Sequence, residues 1–145
     1  MNENKVERQE MDPKLIAHCG INCAVCYRFL QETNPCPGCL VGEGKKLPHP
    51  KCEIRPCANL HAVVHCYECA EFPCEKIARL EAIYTKRYGM SLVLNNYTMK
   101  NGGISRFLAS ERIKWDCPNC HHRLSVHLPN CPHCHEKNPN MIPEE

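Results

Sequence analysis

The sequence predicts a small, mostly α-helical fold with irregular cysteine-rich loops, held by its cysteines more than by a large apolar core. Three observations predict this. Fourteen of the 145 residues are cysteine, and ten of them form five Cys-x-x-Cys pairs: Cys23/Cys26, Cys36/Cys39, Cys66/Cys69, Cys117/Cys120 and Cys131/Cys134. Only nine residues are aromatic, and a core this small needs staples. The one long cysteine-free stretch, residues 75–116, carries helical periodicity.

The elements follow in order. Residues 1–12 are polar and are expected to be disordered. Residues 13–75 hold ten cysteines and read as a metal-binding domain. Within them, Cys23 to Thr33 predicts a short helix carrying Val25, Phe29 and Leu30. Residues 34–52 are rich in Pro, Gly and Lys and read as loop, and 56–65 predicts a helix opened by Pro56. Residues 76–116 form a helical segment expected to pack on this domain. Its first helix is framed by Pro73 at the start and Gly89 just past the end, with Ile77, Leu80, Tyr84 and Tyr88 on one stripe. Residues 91–99 fit a helix or a strand equally. Asn101-Gly102-Gly103 predicts a turn, and a second helix follows with Ile104, Phe107, Leu108 and Trp115 on one side. Residues 117–135 read as a ribbon and 136–145 as a tail, unstructured from Pro139 onward.

Disulfides and metal ions are the two chemistries that could supply the staples. The N-terminal Met1–Arg8 segment is polar, with no apolar run and no small-residue cleavage site. No stretch is long enough to span a membrane. The expected compartment is therefore the cytoplasm, where thiols stay reduced and clustered cysteines bind metal.

Two cysteines three residues apart can turn both thiolates toward one centre, so each pair supplies half of a tetrahedral site. Cys117-Pro118-Asn119-Cys120 and Cys131-Pro132-His133-Cys134 have the form of two zinc knuckles separated by ten residues. Facing each other they close a four-sulfur site, and the spacer is long enough for a short β-hairpin. This predicts a C-terminal zinc ribbon, with rubredoxin-like iron as the chemical competitor. The residue after each knuckle, often glycine in such ribbons, is His121 or His135. With four thiolates engaged no position is left for water or substrate, so the site is expected to be structural.

The other ten cysteines divide in two ways. A sequential grouping pairs 23/26 with 36/39 and 52/57 with 66/69. A nested grouping closes Cys36, Cys39, Cys52 and Cys57 on one ion and joins Cys23, Cys26, Cys66 and Cys69 on another. The 2, 12 and 4 spacing of the inner set favours the nested form. Either way about three zinc ions are expected, and Cys19 and Cys74 are left over as additional ligands, redox thiols or inert buried cysteines. Cys74 sits at the start of the longest predicted helix, where amides and helix dipole favour a thiolate. Cys19-x3-Cys23-x2-Cys26 also has the three-cysteine spacing of radical S-adenosylmethionine enzymes, but the chain lacks the alternating strands and helices of their barrel. An iron–sulfur cluster on some of these cysteines is the alternative cofactor.

The motif order is specific. Cys19-Gly20-Ile21-Asn22-Cys23-Ala24-Val25-Cys26 precedes Cys36-Pro37-Gly38-Cys39, then Cys52-Glu53-Ile54-Arg55-Pro56-Cys57-Ala58. Cys66-Tyr67-Glu68-Cys69-Ala70-Glu71-Phe72-Pro73-Cys74-Glu75 follows. Over about residues 17–80 this resembles the prokaryotic family designated domain of unknown function 3795. The resemblance implies a small zinc-binding protein of the bacterial or archaeal cytosol, and it implies no activity.

Charge is uneven. The formal net charge is +2, and three four-thiolate zinc sites would move it to about −4. Residues 76–114 hold eight Lys/Arg against two Asp/Glu. Lys86, Arg87, Lys100, Arg106, Arg112 and Lys114 are therefore the candidates for nucleic-acid contact. His61 and His65 share a helical spacing but have ten thiols for competitors as ligands. No P-loop spacing is present, and with only Asp12 and Asp116 an oxygen-ligated metal site is disfavoured. The functional expectation is a zinc-binding adaptor module with an unidentified protein partner and without catalysis of its own. The alternatives are an iron–sulfur or thiol redox protein using Cys19 and Cys74, and a nucleic-acid-binding zinc-ribbon protein.

Overall fold

The computed structural model of the chain describes residues 11–40 and 52–143. The expected disordered segment up to residue 10 and the loop residues 41–51 lie outside the described residues. Met11 and Asp12 do not continue the polar N-terminus as a frayed end. Met11 is buried, and Asp12 Oδ1 accepts a 2.8 Å bond from the Lys14 amide, capping a short 3-10 turn at Pro13–Leu15.

The described chain is mostly helical. Its helices are α1 (Tyr27–Leu30), α2 (Ile54–Leu60), α3 (Glu75–Tyr88), α4 (Leu92–Gly102) and α5 (Ile104–Lys114), with further 3-10 turns at Cys23–Val25 and Cys66–Glu68. The predicted helix from Cys23 is broken in two because Cys26 is extended between the 3-10 turn and α1. Pro56 lies inside the first turn of α2, where a missing amide costs no helical bond.

α3 begins at Glu75 with Cys74 as its N-cap, so Pro73 precedes the helix instead of opening it. It ends where expected. Gly89 takes the left-handed conformation (φ 69°) and its amide donates to the Thr85 carbonyl. The stripe faces inward: Ile77 is fully buried, and Leu80, Tyr84 and Tyr88 pack against the core.

The undecided stretch 91–99 is helical. Ser91 caps α4 by accepting from the Leu94 amide at 3.0 Å, and Leu92, Asn96 and Met99 form its buried face. The helix runs through Asn101 and Gly102, where a turn was expected, and breaks only at Gly103 (φ 90°). α5 then buries Phe107 and Leu108, with Trp115 at its end, as the stripe predicts. Successive helices pack in order, α3 on α4 and α4 on α5; α4 also touches the Cys66–Glu68 turn and α5 the Pro13–Leu15 turn.

Residues 117–143 are not a separate appendage. Leu124 and Val126 are buried in the same core as Ile16, Val25, Leu108 and Trp115. Burial of two such side chains contributes roughly 3–6 kcal/mol. The Val126 amide donates to the Val25 carbonyl at 2.9 Å and the Leu124 amide to the Trp115 carbonyl at 2.8 Å. His127 sits among Tyr27, Tyr84 and Tyr88 with edge-on ring contacts and lies 3.0 Å from the Tyr84 hydroxyl. The tail is irregular but tied down. Asn138 is buried and donates to the Ser125 and Leu128 carbonyls, and Asn140 donates to the Lys114 carbonyl at the end of α5.

Candidate metal centres

The two C-terminal Cys-x-x-Cys turns have the same backbone. In the first, the His121 amide donates to the Cys117 carbonyl and the Cys117 amide to the His122 carbonyl; in the second, His135 donates to Cys131 and Cys131 to Glu136. Each turn is closed by its own antiparallel bridge, Asp116 with Arg123 and Asn130 with Lys137. This corrects the expected β-hairpin between the knuckles: no strand forms among the described residues, because the spacer turns inward to bury Leu124 and Val126. The turn demands a left-handed residue after its second cysteine, and His121 (φ 62°) and His135 (φ 68°) supply it without glycine. His121 Nδ1 pairs with Asp116 Oδ2 at 2.8 Å, and the rings of His122 and His133 stack at 3.5 Å.

The sulfurs of Cys117, Cys120, Cys131 and Cys134 converge. All lie within 4.8 Å of one another, with Cys117 to Cys134 at 3.7 Å and Cys120 to Cys131 at 3.6 Å. A tetrahedral ion with metal–sulfur bonds of about 2.3 Å needs sulfur–sulfur edges of about 3.8 Å. The four cysteines could therefore hold a metal ion almost without moving. Donors already point at the sulfurs. The His133 amide lies 3.4 Å from Cys131 Sγ, and the Asn119 side chain and Glu136 amide draw Cys134 down to about 6.

The N-terminal cysteines are arranged differently. Cys23 is buried and its thiol faces Cys39, whose amide donates to Cys23 Sγ at 3.4 Å. Of the two, Cys39 is drawn down to about 7 by the Cys23 thiol and by the Arg55 guanidinium, while Cys23 is pushed up. Arg55 Nε is buried and has no other hydrogen-bond partner among the described residues. Burial also pushes Cys26 up, against the Arg28 and Phe29 amides aimed at its sulfur, with Cys39 and Cys36 as neighbours. Burial raises Cys66 to about 12, helped by the adjacent thiols of Cys74, Cys57, Cys69 and Cys52. Cys23, Cys26, Cys36 and Cys39 thus neighbour one another, and Cys52, Cys57, Cys69 and Cys74 surround Cys66. Cys19 lies between the two groups, raised to about 12 by burial with Cys39, Cys52 and Cys66 nearby.

Apart from the C-terminal four, the described residues bring only His61, Cys69 and Glu71 within 4.8 Å as a possible ligand set. His61 is already engaged on both sides, with Nδ1 2.8 Å from the Cys57 carbonyl and Nε2 2.5 Å from Glu71. These bonds, the Cys57 carbonyl first and Glu71 second, raise its pKa. His65 is buried, stacks on Tyr67 and reaches the Ile16 carbonyl. Lys86, Arg87, Lys100, Arg106, Arg112 and Lys114 are all exposed on α3, α4 and α5.

Asn96 has no counterpart in the sequence reasoning. It is fully buried; its Nδ2 donates to the Cys19 carbonyl at 2.9 Å and the Leu92 carbonyl at 2.8 Å, and its Oδ1 accepts from the Tyr67 amide at 3.1 Å. One side chain of α4 thereby fixes both the Cys19 loop and the Cys66–Glu68 turn. The signal was a polar residue on the Leu92–Met99 stripe.

Residues 15–79 match the family model described as protein of unknown function (DUF3795). The match covers all ten N-terminal cysteines and the first residues of α3, and stops well before the Cys117–Cys134 centre. No curated protein and no solved structure matches the chain. No helix among the described residues is long and apolar enough to cross a membrane.

Proposed function

We propose that the chain is a metal-stabilised binding module in which zinc, held by Cys117, Cys120, Cys131 and Cys134, fixes the C-terminal segment onto the helical body. The convergence of the four sulfurs at tetrahedral spacing carries this reading. Zinc suits an all-thiolate tetrahedral site. A site closed by four thiolates has no room for substrate, so the metal's work there is structural and the module acts by binding a protein partner. The N-terminal cysteines are the ligands of further metal. A reactive-thiol role for Cys19 is disfavoured, since burial keeps it protonated.

The test is metal analysis of the full chain with a chelator titration followed by far-UV circular dichroism. Wild type should carry zinc that Cys120→Ser and Cys134→Ser each reduce by about one ion per chain. Chelation should cost helical signal, because Leu124 and Val126 belong to the shared core. Zinc content unchanged in both variants would overturn the assignment.

A further inference from the structure

Cys57, Cys66, Cys69 and Cys74 line one cavity, together with Ala58, Val63 and Phe72. The enclosed part of this cavity is small, about 20 Å³, and it opens to solvent. Four thiols around one opening are a ligand set, yet these sulfurs do not converge as those of the C-terminal centre do. Among the described residues no three of them lie within 4.8 Å of one another. A single tetrahedral ion draws its sulfurs to edges of about 3.8 Å. A cubane cluster places each thiolate on a different iron, so its sulfurs stand farther apart around a filled volume.

We propose that Cys57, Cys66, Cys69 and Cys74 hold a four-iron iron–sulfur cluster in this cavity, with Cys74 as the fourth ligand and Cys52 outside the set. The proposal rests on the reading of the chain as a metal-bound protein and changes the metal expected at this position. It also gives a use to Cys74, which both sequence groupings leave over.

The surroundings fit an anionic cluster. Cys74 is the N-cap of the fourteen-residue α3, with no side-chain cap bond of its own, so the positive end of the helix dipole lies at its sulfur. Lys76 Nζ is 3.7 Å from Cys57 Sγ. The wall is apolar at Val63 and Phe72, which limits water at the sulfurs. The frame is fixed: the Cys66 amide donates to the His18 carbonyl at 2.9 Å, and the next amide is held by Asn96. The His61–Cys69–Glu71 trio at the rim is a poorer ion site, because both nitrogens of His61 already face oxygen acceptors.

The experiment is anaerobic reconstitution of the full chain with ferric iron, a thiol reductant that leaves half of it ferrous, and sulfide, followed by iron, acid-labile sulfide and zinc analysis and a visible spectrum. Wild type should gain iron and sulfide in equal amounts with broad charge-transfer absorbance. Cys74→Ser should lose about four of each per chain, the content of one cubane, while keeping its C-terminal zinc. Serine is a preferred N-cap, so this variant retains the start of α3. Cys52→Ser should keep the wild-type iron and sulfide. A wild type that takes zinc and excludes iron overturns the proposal, as does a Cys74→Ser protein with undiminished iron. Equal losses in Cys52→Ser and Cys74→Ser overturn the ligand set. The zinc count reports separately on the Cys117–Cys134 centre: its absence would sink that reading while leaving the iron result to judge this one.

Discussion

Replacing Asn96 by alanine should destabilise the chain more than any single exposed substitution, through hydrogen bonds that nothing else can make. Asn96 is fully buried, and its carboxamide serves the Cys19 carbonyl, the Leu92 carbonyl and the Tyr67 amide. In Asn96→Ala the Tyr67 amide and the Cys19 carbonyl lose these partners. A stranded buried polar group costs about 1–3 kcal/mol. Two of them, partly screened because Tyr67 and Cys19 are half-buried, give about 2–5 kcal/mol, a large fraction of the roughly 5–15 kcal/mol that holds a domain together. Urea unfolding at fixed free metal, with a slope of about 1–3 kcal/mol per molar, should show the midpoint falling by about 1–2 M. Asn96→Asp keeps the shape but turns an oxygen toward two carbonyl oxygens, so it should be no better tolerated at pH 7. Gly20→Ala should act through the same point, since a Cβ there would lie 2.4 Å from Asn96 Nδ2 on a backbone with φ 99°. If Asn96→Ala shifted the midpoint by less than about 0.3 M, or Asn96→Asp unfolded like wild type, this account would be wrong.

Other perturbations test other joints. Burial raises the Glu111 carboxyl above its ordinary range, against the bonds from Asn22 and Trp115 and the charge of Lys114. The folded state therefore binds that proton more tightly than the unfolded chain. Its contribution is complete below the ordinary value of about 4.3 and is lost as pH rises through the folded value. Glu111→Gln removes the ionisation, so its melting temperature relative to wild type should climb between pH 4.5 and 7; a constant difference would refute the assignment. At Gly89, a Cβ would fall 2.0 Å from the Ile142 carbonyl oxygen on a left-handed backbone. Gly89→Ala should cost about 1–2 kcal/mol from conformation alone and free the tail for proteolysis, and a tail as resistant as wild type would count against the contact. His127→Ala should loosen the C-terminal segment from α3, read as faster amide exchange at Leu124 and Val126, since it empties the space between Tyr27, Tyr84 and Tyr88.

The parts visible in the sequence are those in which a local pattern is also the final contact. The stripe of α3 and the left-handed stop at Gly89 depend on residues three and four apart, and the Cys-x-x-Cys knuckles complete most of their geometry within six residues. What was not visible depends on partners far along the chain. The Cys57, Cys66, Cys69 and Cys74 grouping needs the N-cap of α3 to return to α2, which no spacing encodes. α4 was undecided because its buried face contains Asn96, a residue that lowers the apolar signal of the stripe while making contacts 29 and 77 residues away. The hairpin was expected on length alone, and length does not reveal that Leu124 and Val126 would sooner enter the core than pair with each other.

That inward turn has a consequence for how metal and fold are coupled. A ribbon on a hairpin could lose its ion and unfold alone, leaving the helices intact. Here Cys117 and Cys131 are buried in the same cluster as Trp115, Leu124 and Val126, and the Val126 amide is bonded to the Val25 carbonyl, one residue before Cys26. Opening the C-terminal centre therefore removes core contacts from α5 and from the first cysteine segment together. The N-terminal cysteines are in turn joined to α4 through Asn96. If both ends hold metal as proposed, its release at one should weaken the hold at the other, through shared burial and without any thiol common to both.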